Sequence, residues 1–157
     1  KFLFRVFLLI ALKLKKMIPE DTIDYNIRKT WYSISKMYNK TANEYMASMS
    51  LGMLILNIDI YDGTPSTQIG PLMGMESTSL SRSLSNLEER GIITRERDLL
   101  DKRKSIIKLT KYGIESREIA KKAVLDFNNK VMEYFEEEEI NEFFKFLKKV
   151  NEITNAL

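Results

Sequence analysis

The feature that most constrains the fold is a charged hairpin in a chain that is otherwise patterned for helices. Residues 92–97 and 105–109 alternate side-chain types and are rich in β-branched residues, a pattern that is typical of strands. The seven residues that connect them, 98–104, are mostly charged and predict a loop. Such a hairpin can bury little of its own surface. Its tip is therefore expected to project from the body of the protein.

The segment before the hairpin, residues 75–91, predicts a polar helix that ends at Gly91. Leu80, Leu84 and Leu87 lie at i, i+4 and i+7, so they form one narrow apolar stripe. The other faces carry many short hydroxyl side chains, which is unusual because serine and threonine have modest helix propensity. These side chains suit a helix that lies close against a polar partner, although a solvated polar helix is the simpler alternative.

Apolar residues at helical spacing predict three helices before this polar helix. The first is a long amphipathic helix over residues 22–46. The second covers 51–60 with Ser50 as its cap, and it is apolar on nearly all sides, so we expect it to be buried. The third is a short helix that Ser66 caps and Gly74 ends.

Two more helices are predicted after the hairpin. Thr110 is placed to cap the first of them, whose apolar stripe continues to Phe135. The second begins at the four glutamates 136–139, whose negative charge suits a helix N-terminus. Because the chain lacks histidine, we interpret these carboxylates as a solvent-exposed terminus and not as a metal site. The apolar side of this last helix, which we expect to be buried, is Ile140, Phe143, Phe144, Leu147 and Val150.

Composition argues against several classes of function. The 157 residues include no cysteine and no histidine, which removes disulfides, thiolate chemistry and the commonest zinc ligands. We therefore expect no enzyme, no metal and no cofactor. The net charge is +3, but beyond the first sixteen residues the only net-basic block is 64–110, with eight basic and six acidic residues. A polyanion is the expected partner of that block.

The first sixteen residues, KFLFRVFLLIALKLKK, differ from the rest of the chain. Their apolar run, residues 2–12, is too short to span a bilayer, which needs about 20 residues. Met17 opens a sequence that is typical of a translation start. We interpret residues 1–16 as upstream or added sequence that is not native. The alternative is a native extension that packs on the body or lies on a membrane surface.

The order of the elements predicts a function. A short helix, a glycine turn and a second helix form a helix-turn-helix, and a hairpin directly after it makes a winged helix. In that motif the second helix enters the major groove of DNA, which accepts short, donor-rich side chains. The residues of this helix that we predict to contact DNA are Ser77, Thr78, Ser79, Ser81, Arg82 and Asn86.

The hairpin tip is predicted to reach the neighbouring minor groove, whose narrow walls favour arginine. Arg103 is the candidate for that groove, and Lys102 and Lys104 are candidates for phosphate contacts. Phosphate would repel Asp101, so we interpret it as a wing-shaping residue, through a turn or by pairing with Arg103 or Arg95. A solvated hairpin without DNA contacts is the alternative.

The segments TPSTQIGPLMGMESTSLSRSLSNLEERGIITRERD and DKRKSIIKLTKYG resemble the MarR family of bacterial transcription regulators. The most specific parts are the polar helix running into LEERGIITR, the DKR of the tip, and the LTKYG that opens the next helix. The order of helices matches from about residue 22 to 155, although Pro71 is less typical of the family's short helix. The fold class is therefore expected to be mainly α with a small β-hairpin wing, a winged helix-turn-helix domain plus an α-helical dimerisation region.

The resemblance implies how the chain is divided. Residues 17–157 would form one unit, in which 64–110 is the DNA-binding winged helix-turn-helix and 22–62 and 111–157 form the helical dimerisation region. It also implies a cytoplasmic homodimer whose two recognition helices enter successive major grooves of a pseudo-palindromic operator in double-stranded DNA. Members of the family are often repressors.

The resemblance further implies release from DNA by a small ligand, often phenolic or drug-like. Sensing through cysteine oxidation or through zinc on histidine is excluded because the chain has neither residue. A ligand pocket would lie where the dimerisation helices meet the winged domain, and its candidates are Trp31, Tyr32, Tyr38 and Met53. Plain core or dimer packing is the alternative for these four residues.

Two other functions remain open at this stage. One is a winged-helix module that binds a protein instead of DNA, against which the basic tip and the hydroxyl-rich helix argue. The other is a membrane-associated regulator, which requires that residues 1–16 are native.

Overall fold

The computed structural model describes residues 18–44, 47–97 and 105–157. In these residues a short 3-10 helix precedes six α-helices and one three-stranded antiparallel sheet. The helices are α1 (Ile23–Asn43), α2 (Met49–Leu56), α3 (Ser66–Met73), α4 (Ser77–Glu89), α5 (Lys111–Met132) and α6 (Glu137–Ala156). The strands are β1 (Thr64–Pro65), β2 (Ile93–Arg97) and β3 (Ser105–Leu109). The predicted fold class, mainly α with a small β wing, is confirmed.

The sheet has one strand more than the two-stranded hairpin predicted from the sequence. β1 pairs antiparallel with β3, which gives the order β1-β3-β2 and sets Thr64 opposite Ile107. Thr64 is buried, and its hydroxyl oxygen accepts a hydrogen bond from the backbone N–H of Asp59 at 2.9 Å. A strand of two residues is too short to show an alternating pattern, so periodicity does not reveal it.

The second helix, α2, has different bounds from those predicted. Its cap is Ser48 and not Ser50, because the Ser48 hydroxyl accepts a hydrogen bond from the backbone N–H of Leu51 at 3.3 Å. The helix ends at Leu56 instead of continuing to Ile60.

The turn that follows α2 explains this early end. Asp59 Oδ1 accepts hydrogen bonds from the backbone N–H groups of Asp62 and Tyr61, each at 2.8 Å. These two bonds hold the pKa of the Asp59 carboxyl below its usual value. An aspartate that bonds the backbone in this way favours a turn over a helix, although the apolar pattern continues to Ile60.

The predicted ends of the helices around the hairpin are confirmed. Gly74 follows α3 with φ +58° and Gly91 follows α4 with φ +67°, a conformation that glycine adopts without steric cost. The Thr110 hydroxyl caps α5 by accepting a hydrogen bond from the Gly113 N–H at 3.0 Å.

The short helix α3 departs from the prediction at its start. Its N-cap is Pro65, and Ser66, which we expected to be the cap, is its first helical residue. Pro71 lies inside the helix and past its first turn. Proline has no N–H, so α3 lacks one backbone hydrogen bond at this point.

The hydrophobic core lies between the winged helix and α2. Its buried side chains come from α2 and the turn after it, α3, α4 and the turn after it, and the sheet, and they form a single cluster. The members of this cluster are Leu54, Ile55, Ile58, Ile69, Leu80, Leu84, Leu87, Ile92, Ile93 and Ile107. The leucine stripe of α4 therefore faces the core and fixes which face of that helix is exposed.

The last helix, α6, leaves its apolar side exposed in the single chain. We expected its apolar side to be buried, but no residue of α6 in the described structure is buried. Phe143 and Phe144 expose 53% and 56% of their surface. The prediction is wrong for the single chain, because an amphipathic pattern indicates that a face needs a partner but not which partner covers it.

Candidate nucleic-acid interface

The polar face of α4 is exposed along the helix. Because the leucine stripe faces the core, the positions on the opposite side point to solvent. Thr78, Arg82 and Asn86 are spaced at i, i+4 and i+8, so they form one row along that side. All six residues that we predicted on this helix are exposed, namely Ser77, Thr78, Ser79, Ser81, Arg82 and Asn86. The structure thus places them on one accessible surface.

Arg95 joins the wing to α4. It lies on β2, its Nη2 donates a hydrogen bond to Ser85 Oγ at 2.9 Å, and its Nε lies 3.0 Å from Glu88 Oε2. Only 29% of the Arg95 side chain is exposed, so these contacts are partly shielded from water. The sequence indicated Arg95 as a wing-shaping residue, but it gave no signal for Ser85 or Glu88 as its partners.

The tip of the wing lies outside the described residues. The residues with predicted roles there are Asp101, Lys102, Arg103 and Lys104. Those roles stay predictions. The base of the wing is described, and its two strands pair in register from Ile93 opposite Leu109 to Arg97 opposite Ser105.

A cavity of about 230 Å³ lies behind α4, between α1, α2, α5 and the end of α4. Its walls are mostly apolar, and Arg90, Tyr112 and Glu115 add polar groups to them. Leu87 of α4 and Arg90, which follows that helix directly, both line it. The cavity therefore shares a wall with the helix that carries the exposed polar row.

Two of the four predicted pocket residues, Tyr38 and Met53, line this cavity. Tyr38 is buried, its ring meets the ring of Phe127 edge to face with centroids 5.7 Å apart, and burial raises the pKa of its phenol. Trp31 and Tyr32 do not line the cavity, and both are exposed. Tyr32 is six residues before Tyr38 on α1, which places it about 240° around the helix from Tyr38. Trp31 lies about two helical turns before Tyr38, toward the N-terminus.

The part of the chain that the structure describes has neither a cluster of three potential metal ligands nor a membrane-spanning helix. Among residues 18–44, 47–97 and 105–157, no group of three or more His, Cys, Asp or Glu side chains is placed to hold a metal ion. None of the helices in these same ranges is both long enough and apolar enough to cross a membrane.

Comparison with known proteins identifies the winged helix. A family model described as MarR family matches residues 48–105, from the cap of α2 to the start of β3. Over this segment the chain is similar to the MarR family. The resemblance predicted from the sequence is thereby confirmed, and the exposed row of α4 lies within the matched segment.

Individual proteins are similar to the chain over more of its length. The HTH-type transcriptional regulator BilQ of Clostridium symbiosum is 28% identical over 110 residues, which are 69% of this chain and 76% of BilQ. The S. aureus MepR–DNA complex matches with a TM-score of 0.77 at 21% identity, covering 87% of this chain and 98% of that chain. The PcaV regulator of Streptomyces coelicolor, solved with its natural ligand, has a TM-score of 0.73 at 18% identity and covers 88% and 98%. The chain is thus similar to transcription regulators of the MarR type and shares the fold of MepR and PcaV.

Proposed function

We propose that the chain is a homodimeric repressor that binds a pseudo-palindromic operator in double-stranded DNA and is released by a small aromatic ligand. The observation that carries the proposal is the exposed polar face of α4, opposite its buried leucine stripe. Such a face fits the major groove, where Arg82 can pair with guanine and Asn86 with adenine. MepR, which has the same fold, was solved in complex with DNA.

In this proposal α4 is the recognition helix. Arg82 and Asn86 contact base edges, and the hydroxyl side chains nearer the start of the helix bond phosphates or bases. The wing tip, residues 101–104, adds minor-groove and phosphate contacts, which are proposed from the sequence alone. Arg95 holds α4 against the wing, and its charge is already paired with Glu88.

The homodimer is supported by apolar surface that the single chain leaves open. Phe143 and Phe144 of α6 are more than half exposed, and α1 carries further exposed apolar side chains. Apolar faces on long helices are typical of a partner interface. We therefore assign residues 22–62 and 111–157 to dimerisation and residues 64–110 to DNA binding.

The ligand response is supported by the cavity behind α4. A mostly apolar cavity of about 230 Å³ with a few polar groups suits a small aromatic molecule. PcaV, which has the same fold, was solved with its natural ligand. Because Leu87 and Arg90 line the cavity, a ligand bound there would touch the end of the recognition helix.

The test begins with DNA that the wild-type protein selects from a random double-stranded library. Binding to the selected sequence is then measured by fluorescence anisotropy over a salt series. We expect Arg82→Ala to weaken binding by about tenfold to a hundredfold, because one well-paired arginine contributes roughly 1–3 kcal/mol to recognition. Arg103→Ala should weaken binding and lower the slope against salt by about one.

Arg28→Ala is the matched control for the lost charge, since Arg28 is an exposed arginine of α1 and lies outside the proposed DNA interface. Because α1 belongs to the proposed dimerisation region, sedimentation velocity first checks that the variant has the same mass as the wild type. We expect this variant to bind as the wild type does. If the wild type enriches no sequence from the library at low salt, the proposed function is wrong.

A further inference from the structure

Four residues tie the end of α4 to the start of α5. Gly91 and Ile92 follow α4, while Thr110 is the N-cap of α5 and Gly113 lies in its first turn. We call this group the α4–α5 junction. It links the proposed recognition helix to a long helix of the proposed dimerisation region.

Thr110 makes the polar contacts of the junction. Its hydroxyl donates a hydrogen bond to the Gly91 carbonyl at 2.7 Å, and the Ile92 carbonyl lies at 3.2 Å from the same oxygen. That oxygen also accepts the Gly113 N–H at 3.0 Å, and the Thr110 N–H donates to the Ile92 carbonyl at 3.0 Å. One residue therefore ties the carbonyls that follow α4 to the first turn of α5.

Gly113 brings the two backbones into direct contact. It is buried, and a Cβ atom at this position would overlap the carbonyl oxygen of Ile92. The Leu109 side chain lies at 3.3 Å from the same Cβ position, so it adds to the crowding. Because no side chain separates α5 from Ile92 here, the junction has little freedom to adjust.

The junction also borders the cavity. On the side of α4 the cavity is lined by Leu87, Arg90 and Ile92, and on the side of α5 it is lined by Tyr112 and Glu115. A molecule in the cavity would therefore touch both of the elements that the junction joins.

We propose that Thr110 and Gly113 are positioning residues that fix the angle between α4 and α5, and thereby the spacing of the half-sites that the protein prefers. This inference rests on the proposed homodimeric DNA binding. In a two-fold dimer, a change in that angle moves the two recognition helices relative to each other. Their separation must match about 34–36 Å between successive major grooves, and one base pair changes it by about 3.4 Å.

A simple helix cap would have no such effect, and α2 offers a matched control. The Ser48 hydroxyl accepts the backbone N–H of Leu51 at 3.3 Å, just as the Thr110 hydroxyl accepts the Gly113 N–H. Ser48→Ala therefore removes a cap bond while the contacts of Thr110 with Gly91 stay in place. A loss of about 1 kcal/mol in stability is typical of a lost cap.

The experiment uses the DNA that the wild type selects, with the distance between half-sites lengthened or shortened by a base pair. We expect the wild type to prefer one spacing, measured as the ratio of its affinities for the preferred and the altered spacing. Thr110→Val should lower this ratio by about fivefold, the equivalent of one hydrogen bond of about 1 kcal/mol. Thr110→Ser keeps the hydroxyl and should restore the wild-type profile. Ser48→Ala should leave that profile unchanged.

Thr110→Asp keeps the experiment decisive if Thr110→Val does not fold. Aspartate is a strong N-cap and can accept the Gly113 N–H, but an ionised carboxylate has no proton to donate to the Gly91 carbonyl. We expect the same loss of spacing preference, because the hydrogen bond to the Gly91 carbonyl is lost. The added charge repels DNA equally at every spacing, so it does not change the preference. A wild-type spacing profile in Thr110→Asp overturns the inference. A wild type that selects no DNA contradicts the proposed function instead.

Discussion

At the scale of single residues, one half-buried arginine connects α4 to the wing. Arg95 on β2 contacts Ser85 and Glu88, which lie on the last two turns of α4. Glu88 is 46% exposed, so the ion pair adds only a modest free energy. The planar guanidinium nevertheless has a defined direction, because Nη2 donates a hydrogen bond to Ser85 while Nε lies within ion-pair distance of Glu88. Its main effect is therefore on the orientation of α4 relative to the wing.

The first prediction separates this orienting role from a DNA contact. Arg95→Ala should weaken operator binding by about tenfold, a free energy of about 1.4 kcal/mol, because α4 loses the polar contacts that orient it against the wing. The slope of log affinity against log salt should stay that of the wild type, since the lost charge does not neutralise a phosphate. Fluorescence anisotropy over a salt series measures both quantities. A slope reduced by about one would show that Arg95 contacts phosphate directly.

A second residue-scale prediction concerns Tyr38. Burial raises the pKa of its phenol above the ordinary value of 10.0, so the folded state holds this proton at a pH where the unfolded chain releases it. The stabilisation is therefore complete below pH 10 and is lost as the pH rises through the folded-state pKa. We expect the free energy of unfolding to fall more steeply above pH 10 in the wild type than in Tyr38→Phe. The difference in slope is bounded by about 1.4 kcal/mol per pH unit, the value for one proton.

Urea unfolding followed by circular dichroism between pH 9 and 11 measures this difference. Both proteins must be compared at one concentration, because a dimer's stability depends on concentration. Equal slopes for Tyr38→Phe and the wild type would contradict the assignment.

At the scale of elements, the sequence locates the helices whose ends carry strong local signals. The end of α4 at Gly91 and the cap of α5 at Thr110 are predicted correctly, because positive φ and capping are local properties of the chain. The end of α2 is predicted wrongly, because the turn at Asp59 overrides an apolar pattern that continues to Ile60. The sequence does not predict β1, because β1 is a strand only through its pairing with β3, about forty residues away. No local sequence pattern indicates such a pairing.

The candidate site likewise has some features that the sequence predicts and others that it does not. The exposed row of α4 follows from the leucine stripe, since a helix that buries one side must expose the other. The partners of Arg95 do not follow from the sequence, because Ser85 and Glu88 meet it only after β2 has turned back along α4. Likewise, Tyr38 lines the cavity and Tyr32 does not, a distinction that depends on the rotation of α1 against α2 and α5.

At the scale of the whole molecule, the open apolar faces are the main departure from a self-contained fold. The core beneath the winged helix is well buried, whereas α6 has no buried residue in the described structure. Burying one exposed phenylalanine contributes roughly 1.5–3 kcal/mol, so several such side chains on one helix can hold a second chain. A twofold arrangement of that kind would also carry two copies of α4, as a pseudo-palindrome requires.

The last prediction tests this arrangement with charge on the exposed face of α6. The double variant Phe143→Glu/Phe144→Glu should raise the dimer dissociation constant by at least about a hundredfold, because two buried rings are lost and two carboxylates are placed in their stead. Leu72→Glu is the control, since Leu72 is 65% exposed on α3 and lies outside the proposed dimerisation region. Sedimentation velocity should give twice the chain mass for the wild type and for Leu72→Glu, and the mass of one chain for the double variant. A wild type that sediments as a single chain at micromolar concentration would show that these faces serve another partner.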